Sequence, residues 1–424
     1  MSSIRPVYII GGARTPFTKS MTNYMGVSTQ DLMTAALTSL VEQFQLKGRT
    51  VGDVAFGAIM QNPKDWNLTR ECVLGSGLHP HTPGYNVQRA CGTGLETSWQ
   101  IANKIALGHI SNGISGGVDT NSDLPITVSK GLKKILLQLN SARSLQARLK
   151  ILSQLRPKDL MPALPAVSEP RTGMSMGQHC EQMVKHWSVG RKEQDELALA
   201  SHHRAAKAWQ DGFHKDLVTP FNGLVQDTIV RGDTSLEKLA KLKPAFDFTG
   251  AGTLTAGNSS PLTDGASSVL LASEESAKAN SWEPQARFVD CEVAALDYVG
   301  GDGLLMAPTI AVARMLTRQK LTLQDFDFYE IHEAFAGQVL CTLKAWEDEK
   351  WSKRLLQSPP LGSIDLSKLN VHGSSLAIGH PFAATGGRIV ASLAKTLKTS
   401  GKKRGLISIC TAGGMGVAAI LESV

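Results

Sequence analysis

Cys91 stands in the run Gln88-Arg89-Ala90-Cys91-Gly92-Thr93-Gly94-Leu95, a polar, glycine-containing turn that opens into a helical pattern carried by Trp99, Ile101, Ala102 and Ile105. A thiol at a helix N-terminus faces unpaired backbone N–H groups and the positive end of the helix dipole, which favour its thiolate. It is therefore expected to ionise nearer neutrality than the about 8.5 of a free cysteine, which makes Cys91 a candidate nucleophile. Taken alone, the same residue reads equally well as a small buried apolar side chain. Two further segments tip the balance. Gly373-Ser374-Ser375-Leu376-Ala377-Ile378-Gly379-His380-Pro381 sets one histidine in a run of small residues, with a helix from Arg388 onward. Gly405-Leu406-Ile407-Ser408-Ile409-Cys410-Thr411-Ala412-Gly413-Gly414 reads as a buried strand that ends in a second cysteine and a glycine-rich turn. A nucleophile, a base and a second ionisable thiol are the parts of covalent acyl chemistry in which a proton must also move at carbon.

The elements that must hold these groups alternate between apolar strands and helical stretches, and each end of the chain places a cysteine or histidine in a glycine-rich strand-to-helix turn. That alternation predicts an α/β fold of two related halves, with largely parallel central strands covered by helices. At 424 residues, 42% apolar and with 40 glycines, the chain fits a globular enzyme with many tight turns. Its six cysteines are scattered without CxxC pairs, so neither a disulfide framework nor a metal site is expected. No run reaches the roughly 18 apolar residues of a membrane span. An apolar strand begins by Val7, so no leader is expected and the cytoplasm is the default location. No nucleic-acid signature, P-loop or GxGxxG motif is present.

The chain resembles the thiolase family over nearly its whole length. The resemblance begins at Tyr8-Ile9-Ile10-Gly11-Gly12-Ala13-Arg14-Thr15-Pro16-Phe17 and runs through Cys91, Gly116-Gly117-Val118-Asp119, and the segment from Thr253 to Ala266. It closes with His332-Glu333-Ala334-Phe335, Gly379-His380-Pro381 and the Cys410 strand. It implies a five-layer αβαβα body made of two halves with an inserted loop domain. The N-terminal half is placed at 1–120 and 176–278, the insert at 121–175 and the C-terminal half at 284–424, with a polar linker near 276–285.

The resemblance also implies a reaction: cleavage of a 3-oxoacyl-CoA by CoA to acetyl-CoA and a shortened acyl-CoA, through a cysteine acyl-enzyme. Cys91 is then the nucleophile, His380 the base, and Cys410 the acid or base at C2. One oxyanion hole is implied for His380 with a water held by His332, the other for the backbone N–H groups of Cys91 and Ala412. Ser260, Leu262, Ala334 and Phe335 match positions that line the pantetheine tunnel. CoA enters as substrate, with no further cofactor and no metal. The alternatives are an acetyl-CoA C-acetyltransferase that condenses two acetyl-CoA, and a non-catalytic acyl-CoA-binding scaffold subunit.

Three positions depart from the commoner family pattern. His332 replaces an asparagine, a form similar to the thiolase subunit of trifunctional fatty-acid oxidation complexes; Ser175 stands where many members place a CoA-contacting histidine; Ala412 replaces a glycine. The adjacent His202 and His203 point apart on a helix and are expected at its surface or at an interface, not on a metal.

Between Lys130 and Lys158 lie eight basic residues and no acidic one. Leu132, Ile135, Leu136 and Leu139, then Leu145, Leu149, Leu152 and Leu155, recur at helical spacing beside them. Such a basic amphipathic hairpin suits peripheral contact with an anionic inner-membrane surface, and equally a cover for the active-site mouth, a site for the CoA phosphates or packing against the body; the resemblance implies a homodimeric core and docking of a hydratase/dehydrogenase partner.

Overall fold

The computed structural model describes residues 4–163, 165 and 168–424. The first half runs β1 (Val7–Arg14), β2 (Thr18–Lys19), α1 (Thr29–Gln43), β3 (Val54–Phe56), α2 (Leu68–Gly75), β4 (Gly84–Asn86), α3 (Thr93–Ala106) and β5 (Asn112–Asp119). The insert carries β6 (Thr127–Val128), α4 (Lys130–Ser141), α5 (Leu145–Leu152) and β7 (Pro162–Ala163). The first half then resumes with α6 (Met176–His186), α7 (Arg191–Gln210), α8 (Leu236–Ala240), β8 (Thr263–Ser273) and α9 (Glu274–Ala279). The second half holds β9 (Ala286–Ala295), α10 (Ala307–Gln319), β10 (Phe328–Ile331), α11 (Ala336–Glu347), α12 (Glu349–Trp351), α13 (Ser375–Ile378), α14 (Ala384–Ser400), β11 (Arg404–Thr411) and β12 (Met415–Glu422).

The main strands lie in the order β10-β11-β12-β9-β1-β8-β5-β3-β4, so the two half-sheets join where β1 pairs β9. The expectation of largely parallel central strands is corrected. From β5 to β11 every neighbouring pair is antiparallel, and only β3·β4, β3·β5 and β10·β11 are parallel. The reason is local for β11 and β12, which a three-residue turn connects, because so short a link permits only antiparallel pairing.

Strand periodicity builds the layers. On β8, Val269 and Leu271 face a core that contains α3 and α14, while Leu270 and Ala272 face one that contains α1 and α2. On β12, Val417, Ala419 and Leu421 face the α3/α14 core, and Ala418 and Ile420 face a third core with α10 and α11. Each half-sheet is thus covered on both sides, and α3 and α14 form the shared middle layer.

The polar stretch 276–285 contains the end of α9 and a turn, and Gln285 N–H bonds back to the Ile9 carbonyl. The insert forms its own compact unit within residues 124–167, while residues 121–123 and 168–175 belong to the body. In the insert, Ser129 caps α4 and also donates to the Asp159 carbonyl at 2.6 Å. Ile135 is buried, whereas Leu136, Leu137, Leu145, Leu149 and Leu152 are exposed. No helix among the described residues is long and apolar enough to cross a membrane.

Candidate active site

Two helix N-termini meet to build the site. Cys91 immediately precedes the N-cap of α3, and His380 lies four residues ahead of α14. A β-carbon added to Gly94 would stand 2.6 Å from Gly387 N and 2.7 Å from the Ala383 carbonyl oxygen, so the helices touch backbone to backbone. Ala90, with φ at +44°, turns the chain sharply into Cys91. Thr93 Oγ1 braces that turn by donating to the Ala90 carbonyl (2.7 Å) and accepting from Arg89 N–H (2.8 Å).

Cys91 is buried, and burial pushes its thiol up to about 12; the Ala412 N–H and its own N–H pull the other way, and the charges of Asp119 and Glu169 add to the rise. The expectation of a thiolate near neutrality is therefore corrected. Loss of water around the sulfur outweighs the helix terminus and the amides. Cys410, at the end of β11, is fully buried, and its thiol is raised by burial and then by the charge of Cys91. The resting pair is accordingly two protonated thiols.

His380 is buried with Nδ1 hydrogen-bonded to Thr385 Oγ1 at 2.7 Å, and its backbone N–H donates to Thr263 Oγ1 at 3.1 Å. Burial, followed by the charge of Arg388, lowers its imidazole to about 3, so the ring is neutral across the physiological range. The His332 ring lies 4.1 Å from it, centroid to centroid. His332 Nδ1 is bonded to Ser375 Oγ at 2.9 Å, while its Nε2 is buried without a hydrogen-bond partner among the described residues.

The backbone around these groups is tied down by carboxylates. Asp119, at the end of β5, accepts from Ile59 and Met60 N–H and, through its other oxygen, from Ala383 N–H at 2.9 Å. Glu333 accepts from Ser201 Oγ, Asn370 Nδ2 and Leu376 N–H, which holds the loop after β10. Glu169 accepts from Gly413 N–H at 3.1 Å, next to the Ala412 amide.

The expected pantetheine-side residues gather on the same side. Ala334 and Phe335 share a hydrophobic cluster with Cys410. Ser260 donates both its hydroxyl (2.9 Å) and its N–H (3.0 Å) to the Ala334 carbonyl. Leu262 is bridged to His380 and half exposed. Ser175 caps α6 by accepting from Gln178 N–H, which gives that position a structural use. His202 is not at the surface as expected. It is buried on α7, with Nδ1 accepting from Arg231 N–H, while His203 is exposed.

Sequence reasoning did not single out Thr385, Ser375, Asp119, Glu169 or Thr263 as partners of the site. Ser375 and Thr385 lie in the small-residue run around His380, and only their pairing with the two rings distinguishes them from turn residues. All six cysteines are free, and among the described residues no group of three His, Cys, Asp or Glu side chains could hold a metal. A separate cavity lined by Arg5, Trp99, Asn103, Arg287, Asp290 and Cys291 contains none of Cys91, His332, His380 and Cys410.

Comparison with known proteins places this geometry. Residues 7–275 match the thiolase N-terminal domain model and residues 282–423 the thiolase C-terminal domain model. A 3-ketoacyl-CoA thiolase of Yersinia pestis (strain Pestoides F) is 41% identical over 423 residues, covering 98% of this chain and 96% of that protein. Among solved structures, the Bacillus anthracis acetyl-CoA acetyltransferase aligns with a TM-score of 0.81 at 30% identity, with all of both chains covered. Human mitochondrial 3-ketoacyl-CoA thiolase aligns at 0.80 and 28% identity, again over both whole chains.

Proposed function

The chain belongs to the thiolase family, and from that membership we propose that it is a 3-ketoacyl-CoA thiolase, with Cys91, His380, Cys410 and His332 as its working groups. The observations that support the assignment are that the helix behind Cys91 packs backbone to backbone on the one behind His380, that the charge of Cys91 acts on Cys410, that the Ala412 amide reaches the Cys91 thiol, and that His332 stands beside His380.

The high resting position of the Cys91 thiol means that no thiolate waits for substrate. Proton transfer from Sγ to His380 Nε2 accompanies attack on C3 of the 3-oxoacyl-CoA, and the Thr385 bond at Nδ1 leaves Nε2 free for it. The C3 oxyanion forms where the Cys91 and Ala412 N–H groups supply donors. The C2–C3 bond then breaks. His380 and His332 stabilise the enolate oxygen of the leaving acetyl-CoA, and Cys410 delivers its proton to C2. Burial keeps that proton on Cys410 until a carbanion can take it.

The proton held by His380 returns to Cys410, and CoA then gives His380 its thiol proton as it attacks the Cys91 thioester. Collapse releases the shortened acyl-CoA and the Cys91 thiolate, which His380 reprotonates. No cofactor beyond CoA as substrate enters this cycle. Ser260, Leu262, Ala334 and Phe335 line the approach of the pantetheine arm.

In this reading the half formed by 1–120 and 176–278 brings the nucleophile, 284–424 brings His332, His380 and Cys410, and 121–175 contains the insert, whose compact unit lies within 124–167. We assign the insert's exposed leucines and basic residues to peripheral contact with an anionic membrane or to a hydratase/dehydrogenase partner. A homodimeric core in the cytoplasm, at the inner membrane, completes the proposal.

The deciding experiment is thiolysis of 3-oxoacyl-CoAs of increasing chain length by the wild type and Cys91→Ser, with mass spectrometry of the intact protein. Turnover of long-chain substrates with an acyl adduct on Cys91 supports the degradative thiolase. Activity confined to acetoacetyl-CoA assigns the acetyltransferase instead, and ligand binding without turnover or adduct assigns a scaffold.

A further inference from the structure

The loop that bears His332 is wired from behind to a buried cation. Arg388, in the second turn of α14, is 2% exposed and forms no salt bridge among the described residues. Its Nη2 donates to Ser374 Oγ at 3.2 Å and to Ser375 Oγ at 3.0 Å. Ser375 is fully buried, and its hydroxyl oxygen also lies 2.9 Å from His332 Nδ1.

A guanidinium has donors only, so at Ser375 it occupies an oxygen lone pair and takes no proton. The hydroxyl proton then needs an acceptor, and His332 Nδ1 is the one that Ser375 reaches among the described residues. A neutral imidazole whose Nδ1 accepts must carry its hydrogen on Nε2. Burial and the neighbouring His380 and Arg388 keep His332 neutral. Nε2 is the buried atom without a protein partner, beside the His380 ring.

We propose that Arg388 and Ser375 are positioning residues that lock His332 in its Nε2–H tautomer, so that this N–H is a fixed donor to the enolate oxygen, directly or through one water. The proposal rests on the thiolase reading and specifies how a histidine serves at this position. An asparagine there needs no such lock, because a side-chain amide offers its N–H without choosing a tautomer. Coupling between residues 375 and 332 is therefore a property of the histidine form.

Two measurements test it. The first compares kcat and KM for wild type, Ser375→Ala, His332→Asn and the double variant. Ser375→Ala is expected to lower kcat by about 10- to 100-fold with little change in KM, in line with losses on removing an orienting partner. In the His332→Asn background the same substitution should change kcat less than about twofold. An equal loss in both backgrounds, or no loss in either, overturns the lock.

The second is ¹⁵N NMR of histidine-labelled full-length protein, with the His332 signals identified by their absence in His332→Asn. The wild type should show protonated Nε2 and acceptor Nδ1, and Ser375→Ala a tautomer mixture. A protonated Nδ1 in the wild type overturns the proposal whether or not the protein turns over. Absence of thiolysis in the wild type would remove the thiolase reading while the NMR result still decides the tautomer.

Discussion

Gly94 on α3 and Gly386 on α14 are in backbone contact: a β-carbon on Gly386 would stand 2.7 Å from the carbonyl carbon of Gly94. Real side chains do not tolerate such a distance. Their approach draws the Cys91 turn toward the His380 turn, and this packing exists because neither residue has a side chain.

Gly94→Ala or Gly386→Ala should therefore force the helices apart at their catalytic ends. Overpacking of this kind costs about 1–3 kcal/mol of stability, and kcat should fall at least about 100-fold because small displacements of reacting groups are so costly. Thermal unfolding and thiolysis on the same preparations check this. Wild-type kcat in Gly386→Ala would contradict the packing argument.

The resting Cys91 thiol should be sluggish. With its ionisation pushed up to about 12 by burial, alkylation by iodoacetamide in the absence of substrate should be slow at pH 7 and accelerate steadily toward pH 10. A rate that levels off near pH 7 would instead reveal a preformed thiolate.

The buried histidines should cost stability on the acid side. Burial holds His202 at about 4 and His214 and His380 at about 3, while the unfolded chain takes up these protons near pH 6.5. Below about pH 6.5 the unfolded state binds more protons, so each histidine removes up to about 1.4 kcal/mol per pH unit until its folded form titrates. Asp119, raised by burial to about 7, and Glu330, raised to about 8, work the other way, because they take up protons in the folded state before the unfolded chain does. The Tm lost between pH 7 and pH 5 should therefore be smaller in His214→Phe than in the wild type, and an identical pH dependence in the two would be inconsistent with a neutral buried imidazole at position 214.

Asp119→Asn replaces an acceptor of three backbone N–H groups with an amide that opposes a donor to a donor at one oxygen. The loss should be about 1–3 kcal/mol of stability, accompanied by a fall in kcat because Ala383 leads into α14. Denaturant titration and steady-state kinetics would show the two effects together.

Neutralising Lys133, Lys134, Arg148 and Lys150 should weaken sedimentation with anionic vesicles and make the remaining binding less sensitive to salt. Soluble-substrate thiolysis should stay unchanged. Equal vesicle binding by the variant would leave partner docking as the use of the insert.

The candidate segments around Cys91, His380 and Cys410 could be picked out because each couples a reactive residue to glycines at fixed short spacing, and chain order linked them. Strand direction was less legible, since alternating apolar patterns are the same in parallel and antiparallel sheets, and the Ala412-Gly413-Gly414 turn, which joins β11 to β12 as a hairpin, reads in the sequence only as a glycine-rich turn. The ionisation of Cys91 was misread because the sequence displays the helix terminus but not the absence of water. His202 was misread for a related reason: a single polar face on α7 does not reveal that the Arg231 segment folds over it. The roles of Ser375 and Thr385 needed three-dimensional pairing, because a hydroxyl residue in a small-residue run looks like turn material.

The seam between β1 and β9 has a consequence for how the protein comes into being. β1 is made first, yet its two edges are occupied by β8 and by Ala286, Arg287 and Phe288 of β9, more than 250 residues later in the chain. Contacts so distant in sequence close slowly and late. Cys91 leaves the ribosome long before His332, His380 and Cys410, so a nascent or truncated chain carries the proposed nucleophile without its proposed partners. In the proposed cycle, reactivity arrives only once the second half has folded.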